Sequence, residues 1–207
     1  VKFVGSKSLL SKIKLSFISN MFNLVIDIYN SIFKIIYKSI KFKVNIYRLD
    51  EFLALDGIDE FYNEFNKTNE ISLIKSKNFL RWRFSRPEKK YKFLVIFQDD
   101  KIVSYSIICT SKMSNIDIIA IVDLVSLDEK YIYSLIDFIN RNEKKNNIDL
   151  INIMLNEEYI KKYNLFNYGF LKSPYKYDFI LNNLSKKFNN NLLGNQKNWH
   201  ISWTNFD

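Results

Sequence analysis

The groups in this chain that could do chemistry are few and widely spaced. Asp123 stands in the run Ala120-Ile121-Val122-Asp123-Leu124-Val125, a carboxylate among apolar side chains. A carboxylate so placed must meet a cation or titrate above its ordinary range. The paired acid would fasten the interior, and an acid turned to a cleft would take a proton from a substrate. Arg81 and Arg83 bracket Trp82 in FLRWRFSRP, residues 79–87. They offer two guanidinium groups to an anionic ligand, or one of them to Asp123. The chain has one cysteine, Cys109, and one histidine, His200. These cannot build a Cys/His zinc site or an internal disulfide. Cys109 has no general base beside it and reads as a core residue, and His200 reads as a surface or internally satisfied side chain. Neither a glycine-rich phosphate loop nor a G-x-S-x-G motif is present.

The 207 residues suffice for one domain plus an appendage, and 47% hydrophobic and 16% aromatic content can fill a sizeable core. Only four glycines and two prolines interrupt it, which is unlike a disordered chain. The net charge of +9 is unevenly spread: residues 1–48 hold nine basic side chains and one acid, Asp27, whereas the rest holds 22 basic and 21 acidic. A nucleic-acid reader carries its positive charge on the folded body, interleaved with aromatic residues. Here the body is nearly neutral, which argues against a nucleic-acid partner.

Residues 8–41 contain no glycine or proline and alternate with a helical period. Phe17, Ile18, Met21, Phe22, Val25, Ile28, Tyr29, Ile32, Ile36 and Ile40 share one face, with Lys12, Asn20, Asp27, Lys34, Lys38 and Lys41 on the other. No apolar run in this stretch exceeds three residues, so it does not read as a transmembrane span or a cleaved signal. Two readings stay open. The helix packs on its own domain or a neighbouring lobe, or it lies on an anionic membrane surface.

Beyond the arm, the pattern predicts a strand at 43–49, helices at 50–66 and 72–84, and a hairpin of strands 91–98 and 101–110 around Asp99-Asp100. A strand at 117–125, a helix at 127–143, a strand at 149–155, a helix at 157–163 and late strands at 175–182 and 199–203 complete it. The expected fold class is α/β (α+β) with a mixed sheet, in which 117–125 and 149–155 run parallel through a helical crossover. The division is an arm, 1–42, and a domain, 43–207.

This order resembles the GNAT acyltransferase superfamily, in particular the second lobe of two-lobed, FemAB-like GNAT proteins of bacterial polysaccharide and cell-envelope loci. The motifs that carry the resemblance are Phe79-Leu80-Arg81-Trp82-Arg83-Phe84 followed by Pro87 and Tyr91, then Ile121-Val122-Asp123, Gly169-Phe170, and the stretch from Trp199 to Asp207. Ser202 and Asn205 depart from the closing motif. The resemblance implies an acyl- or aminoacyl-transferase of an amino sugar or cell-envelope precursor, using acetyl-CoA or another acyl-CoA and no metal. It also implies a cytoplasmic location, with peripheral contact at the inner face of the membrane if the arm binds lipid. Val1–Leu10 would be the tail of a preceding lobe.

The same resemblance assigns the acyl-CoA diphosphate to the turn after the fourth strand, here Val125, Ser126 and Lys130. A helix N-terminus suits an anion, yet this turn lacks glycine, and Asp128 and Glu129 bring negative charge to it. Ser126 and Glu129 have the spacing of a capping box that would occupy the same amides. The general-acid position of the family falls on Leu165, which leaves Tyr163 as the nearby candidate, and Asp123 or Glu157 as candidate base. Arg81 and Arg83 are the candidate substrate contacts. Two functions follow: a transferase lobe that is itself poor at holding CoA, or a non-catalytic GNAT-derived module that docks through its N-terminal helix.

Overall fold

A computed structural model describes residues 1–3, 24–25, 28–29, 31–32, 41–67, 71–113, 116–144, 148–173, 193–195 and 198–205. The strand expected at 175–182 and most of the expected arm helix lie outside the described residues. Described positions of the arm, 24–25, 28–29 and 31–32, are helical. No helix among the described residues is long and apolar enough to cross a membrane.

The main sheet is mixed. It comprises β1 (Lys2–Phe3), β2 (Val44–Tyr47), β4 (Tyr91–Gln98), β5 (Lys101–Met113), β6 (Ile116–Ser126) and β7 (Leu150–Ile153), in the order β1-β7-β6-β5-β4-β2. The β2–β4, β4–β5, β5–β6 and β1–β7 pairs are antiparallel, and β6–β7 is parallel as expected for a helical crossover. The β4–β5 hairpin turns on Asp99 and Asp100, both with positive φ (50° and 58°). Two left-handed residues make the turn whose twist matches a tight hairpin, and aspartate tolerates that region better than most side chains.

Four consecutive residues of β4, Phe93–Ile96, are buried, as are six of β6, Ile121–Ser126. A strand buried at every position is covered on both faces. The cover comes from α1 (Leu49–Leu53) against β4, α2 (Ile58–Lys67) against β5, and α4 (Ile132–Lys144) against β2 and β5. Phe52 stacks on Phe93 at 4.7 Å, and Phe61 meets Tyr105 edge-on at 5.6 Å, which ties α1 and α2 to the sheet.

Two expected helices are shorter than the sequence pattern implies. The helix expected at 50–66 breaks between α1 and α2, where Gly57 adopts φ +82°, a conformation that costs a side chain strain. The helix expected at 72–84 begins only at Lys77 and forms α3 (Lys77–Phe84), with the Ser76 hydroxyl accepting from the Phe79 amide at 3.2 Å as N-cap. Residues 71–72 instead form β3 (Ile71–Ser72), paired in parallel with β8 (Trp199–His200). Between β3 and α3 runs the loop that carries Lys75 into the interior.

Two features shape the end of β6. Ile107 faces Asp123 while Ile108 faces Ile121, so Val122 is an extra residue in β6, a β-bulge. The parallel pairing with β7 covers only Ile118–Ile121, and β6 runs on to Ser126 without it. The chain's C-terminal segment lies alongside this extension. Ser202 forms a bridge with Leu155, and the Thr204 hydroxyl donates to the Val122 carbonyl at 3.2 Å.

Candidate functional site

Asp123 is the centre of a buried polar cluster. Only 1% of the residue is exposed, because β6 is covered on both faces. Its Oδ2 accepts from Lys75 Nζ at 2.6 Å and from the Tyr105 hydroxyl at 2.5 Å. Its Oδ1 accepts from Lys75 Nζ at 2.8 Å and from the Ser202 hydroxyl at 2.8 Å. The Tyr105 and Tyr62 hydroxyls lie 2.6 Å apart. Since Tyr105 gives its only proton to Asp123, Tyr62 is the donor in that bond, and the protons point in one direction toward the carboxylate.

Burial by itself would raise the Asp123 carboxyl pKa. The Lys75 ammonium and the bonds from Lys75 and Tyr105 outweigh it and hold the acid below its ordinary value. Burial pulls the Lys75 amine down, with Asp123 opposing. Burial, then the Asp123 charge, pushes both tyrosines well up. At neutral pH the cluster is therefore an ion pair with two neutral phenols. Four hydrogen bonds fill the carboxylate, which leaves it a poor acceptor for a substrate proton.

This corrects the expected partner of Asp123. Neither Arg81 nor Arg83 reaches it; Lys75 does. Arg81 points outward to Asp50 at 2.8 Å, in a pair whose side chains are 59% and 81% exposed. Arg83 is buried and donates to the backbone carbonyls of Trp203 (3.3 Å) and Thr204 (3.4 Å). Phe84 packs on Tyr91 and Phe93, whereas Trp82 is 64% exposed.

The turn after β6 is also closed differently from the expectation. Ser126 and Glu129 do not form a capping box. Asp128 is the N-cap of a 3-10 turn, Glu129–Tyr131, and its carboxylate accepts from the Lys130 amide at 3.0 Å. The Ser126 hydroxyl donates to the Asp128 carbonyl at 2.6 Å. Lys130 Nζ turns back to Asp128 at 3.4 Å and sits 4.9 Å from the centre of the Tyr131 ring. Val125 is fully buried in β6. An acid already occupies the position that an anionic ligand would need.

Tyr163 does come to the end of β6. It follows α5 (Glu157–Lys162), is 1% exposed, and packs edge-on against Tyr159 at 5.5 Å. Its hydroxyl completes no hydrogen bond among the described residues. Burial pushes its pKa well up, while the nearby Ser126 backbone N–H pulls slightly the other way. Of the sequence candidates, Tyr163, Ser126 and Asp123 thus share the β6 terminus, and Lys130, Arg81 and Arg83 stand apart from the cluster. Glu157 lies in the exposed first turn of α5, with Lys161 at 3.4 Å.

His200 reads in the sequence as either a surface or an internally satisfied side chain, and the structure excludes the first. It is 1% exposed rather than superficial, wedged edge-on between Phe65 (5.1 Å) and Tyr159 (4.5 Å). Among the described residues neither ring nitrogen completes a hydrogen bond, although the Leu124 backbone is close enough to favour the protonated ring slightly. Burial, then Lys75, pushes its pKa down to about 3, so it is neutral at physiological pH. A signal for this was present in Trp199-His200-Ile201-Ser202-Trp203-Thr204. His200, Ser202 and Thr204 alternate on one face, and all three are buried against β6. The sequence also held no local mark for Lys75, which lies 48 residues from its partner. Comparison with protein-family models and with curated proteins finds no match for this chain.

Proposed function

We propose that residues 43–207 form a GNAT-like lobe of an acyl- or aminoacyl-transferase, acting on an amine of an amino sugar or cell-envelope precursor. In this reading the Ser126–Lys130 turn does not hold the acyl-CoA diphosphate. The observation that supports it is the β6 terminus. There a bulged strand outruns its parallel neighbour, and a buried tyrosine hydroxyl with no hydrogen-bond partner among the described residues lies beside its last residue. Burial keeps this phenol protonated, the state from which a proton donor must start, and the acyl donor would have to be held elsewhere than at the Ser126–Lys130 turn. Tyr163 is the donor in this proposal, and Asp123 holds the frame through Lys75.

The Asp128-capped turn supports a second reading, a GNAT-derived module without cofactor chemistry. Calorimetry separates the two. The transferase-lobe reading expects a nucleotide-linked amino sugar to bind while acetyl-CoA gives no heat up to about 1 mM, a free-energy ceiling of roughly 4 kcal/mol. Micromolar acetyl-CoA binding would overturn the closed turn. Failure of both ligands would favour the module.

A further inference from the structure

We propose that the helical stripe of Leu24, Val25, Ile28 and Ile32 docks on the surface of an anionic phospholipid bilayer. This inference rests on residues that take no part in the acyl-transfer reading. At about 100° per residue the four side chains fall within an arc of about 100°, the width of an apolar helix face. They are 61%, 60%, 52% and 49% exposed, so the chain's own domain does not cover them. Single exposed aliphatics are ordinary; four on one stripe mark a surface that meets something apolar.

Charge chooses the partner. The first 48 residues carry nine basic side chains and one acid, and Lys41 and Lys43 are exposed where the arm joins the domain. Two copies of the arm would bring this positive charge together and repel. Protein interfaces are depleted of lysine, whereas lysines flanking an apolar face suit a negatively charged lipid surface. Because no apolar run in residues 8–41 exceeds three residues, the segment suits a position in the interface rather than a membrane crossing.

The test is co-sedimentation of the whole chain with phosphatidylcholine vesicles, with and without phosphatidylglycerol. Pelleting is expected to rise with phosphatidylglycerol and to fall with added salt. The double substitution I28E/I32E should lower partitioning by about tenfold or more. Both side chains are half-exposed, so circular dichroism and the unfolding midpoint of the variant should match the parent. Pelleting that ignores phosphatidylglycerol, or is equal in I28E/I32E, overturns the proposal. So does a concentration-dependent dimer in light scattering that I28E/I32E abolishes, because a second copy then owns the stripe.

Discussion

Lys75–Asp123 and Arg81–Asp50 are both short pairs of opposite charge, at 2.6 Å and 2.8 Å, and each joins residues distant in sequence. They differ in surroundings. The first has side chains 2% and 0% exposed, the second 59% and 81%. Water screens the exterior pair and keeps each partner solvated when the other is removed. In the interior pair each charge depends on the other, because burial removes the water that would otherwise solvate it. Two hydroxyls, from Tyr105 and Ser202, complete the carboxylate, so the interior pair also recruits β5 and the C-terminal segment. Contact distance alone therefore says little about what an ion pair does for a fold.

The largest effect should come from splitting the interior pair. Lys75→Met leaves Asp123 buried without a cation and should cost about 3–5 kcal/mol in urea unfolding. The double variant K75M/D123L should recover part of this, since no lone charge remains. The Tyr105 and Ser202 hydroxyls would then lack their acceptor, at about 1–3 kcal/mol each. A double variant no better than K75M would mean that the hydroxyl bonds, not the charge, dominate.

An intermediate effect should appear as pH dependence at His200. Its pKa is 6.5 in the unfolded chain and about 3 in the folded one. Between those values the unfolded chain binds the extra proton. Stability is thus full above pH 6.5 and falls as pH drops through the window, by about 1.4 kcal/mol per unit. His200→Phe keeps an aromatic ring between Phe65 and Tyr159 and should remove that slope, gaining on the parent between pH 8 and pH 5 in denaturant titrations. The Asp123 contribution has the same sign, but its loss begins only as pH falls through the carboxylate range, so the two windows separate. An unchanged slope in the variant would assign the acid sensitivity to other groups.

The smallest effect should follow Arg81→Ala. Its pair with Asp50 is open to water, and thermal unfolding should move by no more than about 0.5 kcal/mol. A loss comparable to K75M would erase the distinction between the pairs.

The comparison also explains which parts of the molecule were legible from residues alone. The hairpin was, because Asp99-Asp100 supplies local turn chemistry between two apolar runs. The burial of Asp123 was, because five apolar neighbours leave it nowhere else to go. Its partner was not. The RWRF arginines were the conspicuous cations, but α3 turns Arg81 to solvent and spends Arg83 on backbone carbonyls. Lys75 enters from a loop whose course is fixed by tertiary contacts, and no periodicity encodes that. The inward turn of the 199–204 segment was hidden for a similar reason. Alternation shows which side chains share a face, while the hydrogen bonds required by Asp123 decide that this face turns inward.

The segment that closes the cluster is synthesised well after the acid it closes on. Ser202 supplies one of the four bonds to Asp123, and Trp203 and Thr204 supply the carbonyls for Arg83. A ribosome delivers residues in order, so β6 and its acid emerge about 80 residues before the strand that completes them. Until then the growing chain holds a carboxylate short of one donor and an arginine short of two carbonyls. The native arrangement can therefore lock only once residues 202–204 have emerged, and a nascent chain stalled before residue 202 would carry an unfinished interior.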